Sequence, residues 1–232
     1  MSFWQILKED FTEPKRQDPA YNGICDLFFC YPGVWALINY RFAHFFYERN
    51  FKRFARFISG VSRILTAVDI NPGAKIGRNV FFDHATGLVI GETAEIGNNC
   101  LIYQGVTLGG VSLGKEKRHP TLEDGVVVGA GAKILGNITI GANSKVGANS
   151  VVVKNIPANS TAVGVPARVV GTCDKDPFAH DKIPDISKEL IKYLIGRIEN
   201  LENCLTDNNI ELGIKDRELD KKYESYLNSL KN

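Results

Sequence analysis

Long apolar runs are missing from this 232-residue chain. No stretch reaches the roughly eighteen uncharged apolar residues of a membrane helix, so no spanning segment is expected. The start, MSFWQILKEDFTEPKRQDP, carries acidic residues and lacks both an unbroken apolar core and a small-residue cleavage site, which argues against a signal peptide. Cysteine is scarce and scattered: the five (Cys25, Cys30, Cys100, Cys173, Cys204) show neither metal spacing nor a disulfide framework. Charge of one sign is not in excess either. The net charge is +2 with 23% charged residues, which gives no electrostatic footprint for a nucleic acid. These absences leave a cytoplasmic enzyme or binding protein, long enough for one large domain or two modest ones.

The first third, residues 1–67, reads as helix. Asp18-Pro19 resembles a helix start, with a carboxylate cap and proline at the first helical position. Tyr31-Pro32-Gly33 is a break. After it Trp35, Ile38, Phe42 and Phe45 recur at helical spacing, with Arg41, Glu48 and Arg49 on other faces. A second helix is expected from Lys52 to Thr66, carrying Phe54, Phe57, Ile58, Val61 and Leu65. The aromatic stripe reads as core or subunit contact, and His44 as a packed or surface residue.

Residues 68–172 carry a repeat of period six. Its aliphatic or aromatic positions are Ile70, Ile76 and Phe82; then Ile90, Ile96, Ile102 and Leu108; then Leu122, Val128, Ile134, Ile140, Val146 and Val152. Seven of these thirteen are followed by glycine, which is expected to ease a corner. A small or β-branched residue usually lies two positions before. Cys100 is one of these, so a small interior residue explains it. Period six fits neither an amphipathic helix nor an alternating hairpin sheet. It fits a solenoid that turns a corner every six residues. The rhythm breaks twice. Phe82 to Ile90 spans eight residues, with His84 in the excess; Leu108 to Leu122 spans fourteen, two more than a multiple of six, through GGVSLGKEKRHPT. Loops leaving a rigid scaffold are common places for chemistry, although two exposed loop histidines can also mean nothing.

DINPGAKIG, FFDHATG, VIGETAEIG, YQGVTLGG, KRHP, VGAGAKILGNITIG and GVPARVVG, in this order over residues 15–171, resemble the serine O-acetyltransferases of the left-handed β-helix, hexapeptide-repeat acyltransferase superfamily. The fold class implied is α+β: a helical N-terminal region, a left-handed parallel β-helix, and a C-terminal helical tail over 173–232. The activity implied is acetyl transfer from acetyl-CoA, as co-substrate and with no permanently bound cofactor or metal, to the hydroxyl of L-serine for cysteine synthesis. That hydroxyl needs a base in the transition state. By resemblance His84 is the base and Asp69 the carboxylate that orients it. Arg118 and His119 hold the serine carboxylate, while Asp83 and Asp18 meet the ammonium; arginine suits a carboxylate because it donates two parallel hydrogen bonds. Acetyl-CoA lies between neighbouring subunits at Gly110, Ala130, Lys145 and Ala148. Plainer readings stand beside these: Asp18 as a helix cap, Asp83 as a turn residue, and the glycine and alanines as repeat positions.

The resemblance also implies a homo-trimer or a dimer of trimers, with the Arg118-His119 break reaching the His84 loop from a neighbouring subunit. The chain departs from the family at Asn71, where Asp-Ile-His-Pro is usual, and in the loop after Gly110, which lacks the usual glycine-threonine-glycine. Asp174–Pro184 reads as a linker, followed by a helix whose Ile191, Leu194, Ile198, Leu201 and Leu205 form a short heptad seam. The end, Leu230-Lys231-Asn232, replaces the family's terminal isoleucine and argues against C-terminal docking to O-acetylserine sulfhydrylase. Other readings are an acyltransferase for a sugar or homoserine, a zinc β-helix hydratase, which needs three convergent histidines, and a non-catalytic solenoid.

Overall fold

A computed structural model describes residues 2–172 and 186–208. Two units divide the chain, Met1–Ile183 and Pro184–Asn232. The first holds four helices, α1 (Phe3–Gln17), α2 (Ile24–Phe29), α3 (Pro32–Glu48) and α4 (Lys52–Thr66), and then a triangular prism of short strands. Each of the thirteen hexad positions is the second residue of one strand, and none is more than 8% exposed. Of the residues two positions earlier, Ala74, Ala94, Cys100, Val106, Ala132 and Ser144 are 0% exposed. Two inward residues per side therefore fill the prism. Full burial of each aliphatic side chain contributes roughly 1.5–3 kcal/mol.

The strands form three parallel faces. Face A holds β1 (Asp69–Ile70), β4 (Val89–Ile90), β7 (Thr107–Gly109), β10 (Lys133–Leu135) and β13 (Val151–Val152). Face B holds β2 (Lys75–Ile76), β5 (Glu95–Ile96), β8 (Thr121–Leu122) and β11 (Thr139–Ile140). Face C holds β3 (Phe81–Phe82), β6 (Leu101–Ile102), β9 (Val127–Val128), β12 (Lys145–Val146) and β14 (Ser160–Gly164), closed by the antiparallel β15 (Ala167–Thr172). This is the parallel β-helix that the repeat implies, left-handed as the resemblance implies.

Both register breaks are loops at corners, and the second is larger than the sequence count implied. β3 lies on face C and β4 on face A, so the first break adds two residues to one side. β7 lies on face A and β8 on the adjacent face B. The fourteen residues from Leu108 to Leu122 are thus one six-residue step plus eight, not two steps plus two. No strand lies between them.

The glycines after the hexad residues also serve a different purpose from the expected one. A Cβ on Gly77 would sit 2.6 Å from the Gly97 carbonyl oxygen of the next coil, and one on Gly129 would sit 2.6 Å from the Ala148 nitrogen. They permit close approach between coils. Many left-handed corners are taken by asparagine instead, at Asn79, Asn99, Asn143, Asn149 and Asn159, a residue that tolerates positive φ.

Helix α3 closes the open end of the prism. Its buried face is Gly33, Val34, Ala36, Leu37, Tyr40 and Ala43 rather than the aromatic stripe, because small residues allow closer packing on the first coil. The stripe packs outward on α1 and α2, as in Phe3 against Phe42 at 5.3 Å and Phe11 against Trp35 at 6.2 Å. Arg41 turns inward, not away: it pairs with the buried Asp10 of α1 at 2.8 Å and donates to the carbonyls of Ile76 and Gly77, both at 2.6 Å. Helix α4 has the expected bounds, but its buried residues are Ala55, Ser62 and Thr66. Phe54, Phe57, Val61 and Leu65 are exposed on the single chain. Asp18 caps the C-terminus of α1 and opens no helix; α2 starts at Ile24. His44 is structural, bonded to the Pro72 carbonyl at 2.8 Å and stacked on Tyr40.

The second unit contributes α5 (Ile186–Asp207), which contains the heptad seam; Leu194, Ile198 and Leu201 are exposed. The expected linker and the C-terminal Leu230-Lys231-Asn232 lie outside the described residues. No described helix is long and apolar enough to cross a membrane.

Candidate active site

Two corners flank face A, and the candidate residues divide between them. The corner from face C to face A carries His84. Its backbone, like that of Ala85, is left-handed (φ 55° and 59°), a conformation that costs non-glycine residues of order 1 kcal/mol or more each and gathers at functional sites. The loop is held from below. A Cβ on Gly33 of α3 would lie 2.2 Å from the Phe82 carbonyl oxygen and 3.0 Å from Ala85 Cβ, so only glycine lets α3 seat there. Ala85 is buried and His84 is left exposed.

Asp83 is half-buried beside it. Burial pushes its carboxyl above the usual range, His84 opposes that shift, and the nearby Asp18 carboxylate adds to it. Asp18 is in turn fixed by two donors, the Ala20 N–H at 2.7 Å and the Tyr31 hydroxyl at 2.6 Å. Tyr31 packs on the outside of face C with Leu27, Val34, Phe81, Leu101 and Val127. A half-buried carboxyl raised in part by a second carboxylate nearby makes a site for a small cation.

The corner from face A to face B carries Arg118 and His119, where the long loop returns to the prism. Thr93 anchors that return. Its hydroxyl oxygen accepts the backbone N–H groups of Arg118 (3.0 Å) and His119 (3.1 Å), and it lies 2.9 Å from His119 Nδ1, to which the Thr93 N–H also donates at 3.2 Å. With Nδ1 accepting, the neutral ring carries its proton on Nε2. Burial, then the charge of Arg118, holds the imidazole below its ordinary value. The ring fits only because residue 91 is glycine: a Cβ there would be 2.0 Å from Cδ2 and 2.1 Å from Nε2. Arg118 donates to the Gly114 carbonyl at 2.9 Å and to Glu92 Oε2 at 3.0 Å, and Tyr47 donates to Glu92 Oε1 at 3.2 Å. Burial raises the Glu92 carboxyl, but the hydrogen bonds from Arg118 and Tyr47 outweigh that and hold it low. A groove of about 710 Å³ opens here, lined by Tyr47, Glu92, Thr93, Leu113, Lys117 and Arg118 among others.

Asp83, Asp18 and His84 are therefore together, and Arg118 and His119 are together, but one chain does not join the two groups. The run from His84 to Gly91 passes from one corner to the other along face A, with β4 between them. The other candidates follow the same division. Ala130 and Ala148 occupy the C-to-A corner in higher coils, and Lys145 is buried on β12 of face C. Gly110 is at the other corner, where a Cβ would lie 3.2 Å from Arg118 Cγ and from His119 Nε2. Asp69 stands on face A with its carboxylate 3.4 Å from Arg63 of α4. No hydrogen bond among the described residues joins it to His84.

Asn71 has a local role. Its Oδ1 accepts the Gly73 N–H at 3.0 Å and so closes the turn around Pro72. Glu92, Thr93, Tyr31 and Tyr47 were not anticipated. Glu92 and Thr93 follow the hexad glycine at a corner, where an acid and a hydroxyl are otherwise ordinary surface residues, and Tyr31 read only as part of a break. Cys100 is buried, and that burial pushes its thiol up to about 12, which suits an inert interior residue.

Comparison with known proteins adds to this geometry. A bacterial transferase hexapeptide family of six repeats matches residues 119–154. A serine acetyltransferase of Synechococcus elongatus is 46% identical over 209 residues, covering 89% of this chain and 86% of that protein. Among solved structures, the chain is similar to the serine acetyltransferase of Brucella abortus in complex with coenzyme A (43% identity, TM-score 0.70, 74% of this chain and 69% of that one). It is equally similar to the Neisseria gonorrhoeae serine acetyltransferase in complex with serine (41%, TM-score 0.69, 73% and 69%).

Proposed function

Since the chain belongs to the serine acetyltransferase family, we propose that His84 is the general base of its reaction and that the site is completed by a neighbouring subunit. The reaction is transfer of the acetyl group of acetyl-CoA to the hydroxyl of L-serine, giving O-acetylserine and CoA. The serine oxygen attacks the thioester carbonyl while His84 accepts the hydroxyl proton. The C–S bond then breaks, and the proton passes from the imidazolium to the leaving thiolate. Positioned base catalysis supplies about 10²–10⁴-fold, and holding both substrates together supplies much of the rest.

The observation that carries this reading is His84 itself. It is exposed on a left-handed corner turn, directly after a half-buried carboxylate and close to a second. Asp83 and Asp18 take the serine ammonium. Arg118 and the Nε2–H of His119 take its carboxylate, supplied from the next subunit. A zwitterion needs both sets; a sugar needs neither. In a closed ring of three subunits, one subunit's A-to-B corner meets the C-to-A corner of the next. Acetyl-CoA lies in the same seam, past Ala130, Lys145 and Ala148 of one wall and Gly110 of the other. Asp69 orients His84 once it turns from Arg63; that ion pair is exposed on both sides (61% and 43%), so leaving it costs little.

The test is CoA-thiol release with L-serine, L-homoserine and a sugar panel, for the wild type and His84→Ala. Turnover with serine and a fall of about 10²–10⁴ in the variant, with acetyl-CoA binding intact, is expected. Unchanged turnover in the variant removes His84 as the base.

A further inference from the structure

Helix α3 meets the site at both of its ends, each time through a tyrosine hydroxyl. At its N-cap, the Tyr31 hydroxyl donates to Asp18 Oδ2 at 2.6 Å. One residue before its last, the Tyr47 hydroxyl donates to Glu92 Oε1 at 3.2 Å, and Glu92 Oε2 accepts from Arg118 Nη2 at 3.0 Å. The helix is 17 residues long, about 25 Å, which is enough to link the two corners beneath the prism. Between its ends it is tied to the first coil. Tyr40 donates to the Ala74 carbonyl at 2.6 Å, and Arg41 donates to the carbonyls of Ile76 and Gly77.

Both phenols are seated. Tyr31 is 9% exposed and packs on Phe81 with ring centroids 6.4 Å apart. Tyr47 lies over Gly73, where a Cβ would be 3.1 Å from its Cζ and Oη. We propose that Tyr31 and Tyr47 are positioning residues for the two ends of the amino-acid substrate. Tyr31 sets the carboxylates that take the ammonium, and Tyr47, through Glu92, sets the guanidinium that takes the carboxylate. This rests on the residue assignment under Proposed function.

The physical reason is the same at each end. Asp18 faces the like charge of Asp83 and is repelled by it. With Oδ1 held by the Ala20 N–H and Oδ2 by Tyr31, it cannot swing away. Arg118 has one fixed partner in the Gly114 carbonyl and a second in Glu92, which is itself free to rotate unless Tyr47 holds its other oxygen. Removing one hydroxyl should therefore loosen recognition of one end of the substrate and leave the other end alone.

The experiment uses Tyr31→Phe, Tyr47→Phe and, as a control, Tyr40→Phe, whose hydroxyl bonds backbone groups of the first coil. Two competitive probes are titrated against serine: L-serinamide, which keeps the ammonium and lacks the carboxylate, and 3-hydroxypropanoate, which is the reverse. Tyr31→Phe should weaken L-serine and L-serinamide about tenfold, the loss of one hydrogen bond to a charged group, and leave 3-hydroxypropanoate and the acetyl-CoA KM in place. Tyr47→Phe should show the opposite probe pattern. Tyr40→Phe should lower thermal stability and change neither probe. Equal shifts on both probes, or tyrosine variants that behave like Tyr40→Phe, overturn the proposal. Asp83→Asn and Arg118→Lys separate the two levels. If these fail to discriminate between the probes, the residue assignment falls; if they discriminate and the tyrosine variants do not, only the tyrosine proposal falls.

Discussion

Replacing Gly91 with alanine would place a methyl carbon 2.0 Å from Cδ2 and 2.1 Å from Nε2 of His119. Ordinary contact begins near 3.4 Å, so the overlap exceeds one ångström and something must move. Gly91 itself is held in the coil by its N–H to the Leu108 carbonyl at 3.1 Å. The ring is the movable part, and it is 8% exposed and pinned through Nδ1 to Thr93. Displacing it breaks that contact, worth about 1 kcal/mol per hydrogen bond, and adds overpacking strain of about 1–3 kcal/mol. If Nε2–H receives the serine carboxylate, the variant should show a serine KM raised by about 10- to 100-fold with the acetyl-CoA KM little changed. Steady-state kinetics with both substrates varied gives this directly, and thermal unfolding shows whether the fold survives. A folded Gly91→Ala enzyme with the wild-type serine KM would refute a role for His119 in carboxylate recognition.

Arg41→Leu leaves Asp10 buried and unpaired under the prism, a loss of about 3–5 kcal/mol that urea unfolding should report. Acid should weaken the fold through His119. Its folded-state value is depressed below 6.5, so its contribution is present above 6.5 and is lost as pH falls toward the folded value. Wild-type stability to urea should therefore drop more between pH 7.5 and 5.5 than that of His119→Gln; equal slopes would remove the argument.

The prism was readable in the sequence because each side buries one residue at the hexad position, and usually one two positions before, so burial repeats every six residues. All thirteen positions, Ile70 to Val152, are buried, each as the second residue of a strand. The breaks were readable as excess length, which is why His84 and His119 stood out. What the excess meant was not readable. Fourteen residues from Leu108 to Leu122 fit two steps plus two as well as one step plus eight, and only the face assignment of β7 and β8 decides. The helix faces that meet the prism were not readable for a related reason. Spacing finds a stripe, but in α3 and α4 small residues such as Gly33, Ala36 and Ala55 make the buried contact and the aromatic stripes face outward. Glycine chemistry was also ambiguous, since freedom of φ and lack of a Cβ look alike in sequence. The site lay least open to reading. Glu92, Thr93, Tyr31 and Tyr47 act through contacts across 13 to 45 positions, and no local pattern marks them. Asn71, odd by resemblance, is explained by one hydrogen bond within its own turn.

A site shared between corners of two subunits can be tested by complementation. His84→Ala and Arg118→Ala chains, each inactive alone, are mixed in equal amounts under conditions that let subunits exchange. In a closed trimer, a seam is whole when its His84 comes from an Arg118→Ala chain and its Arg118 from a His84→Ala chain, so about one quarter of wild-type activity should return. If the mixture exchanges subunits and stays at the level of the separate variants, the two residues serve a site within one chain, and the two-corner account is wrong.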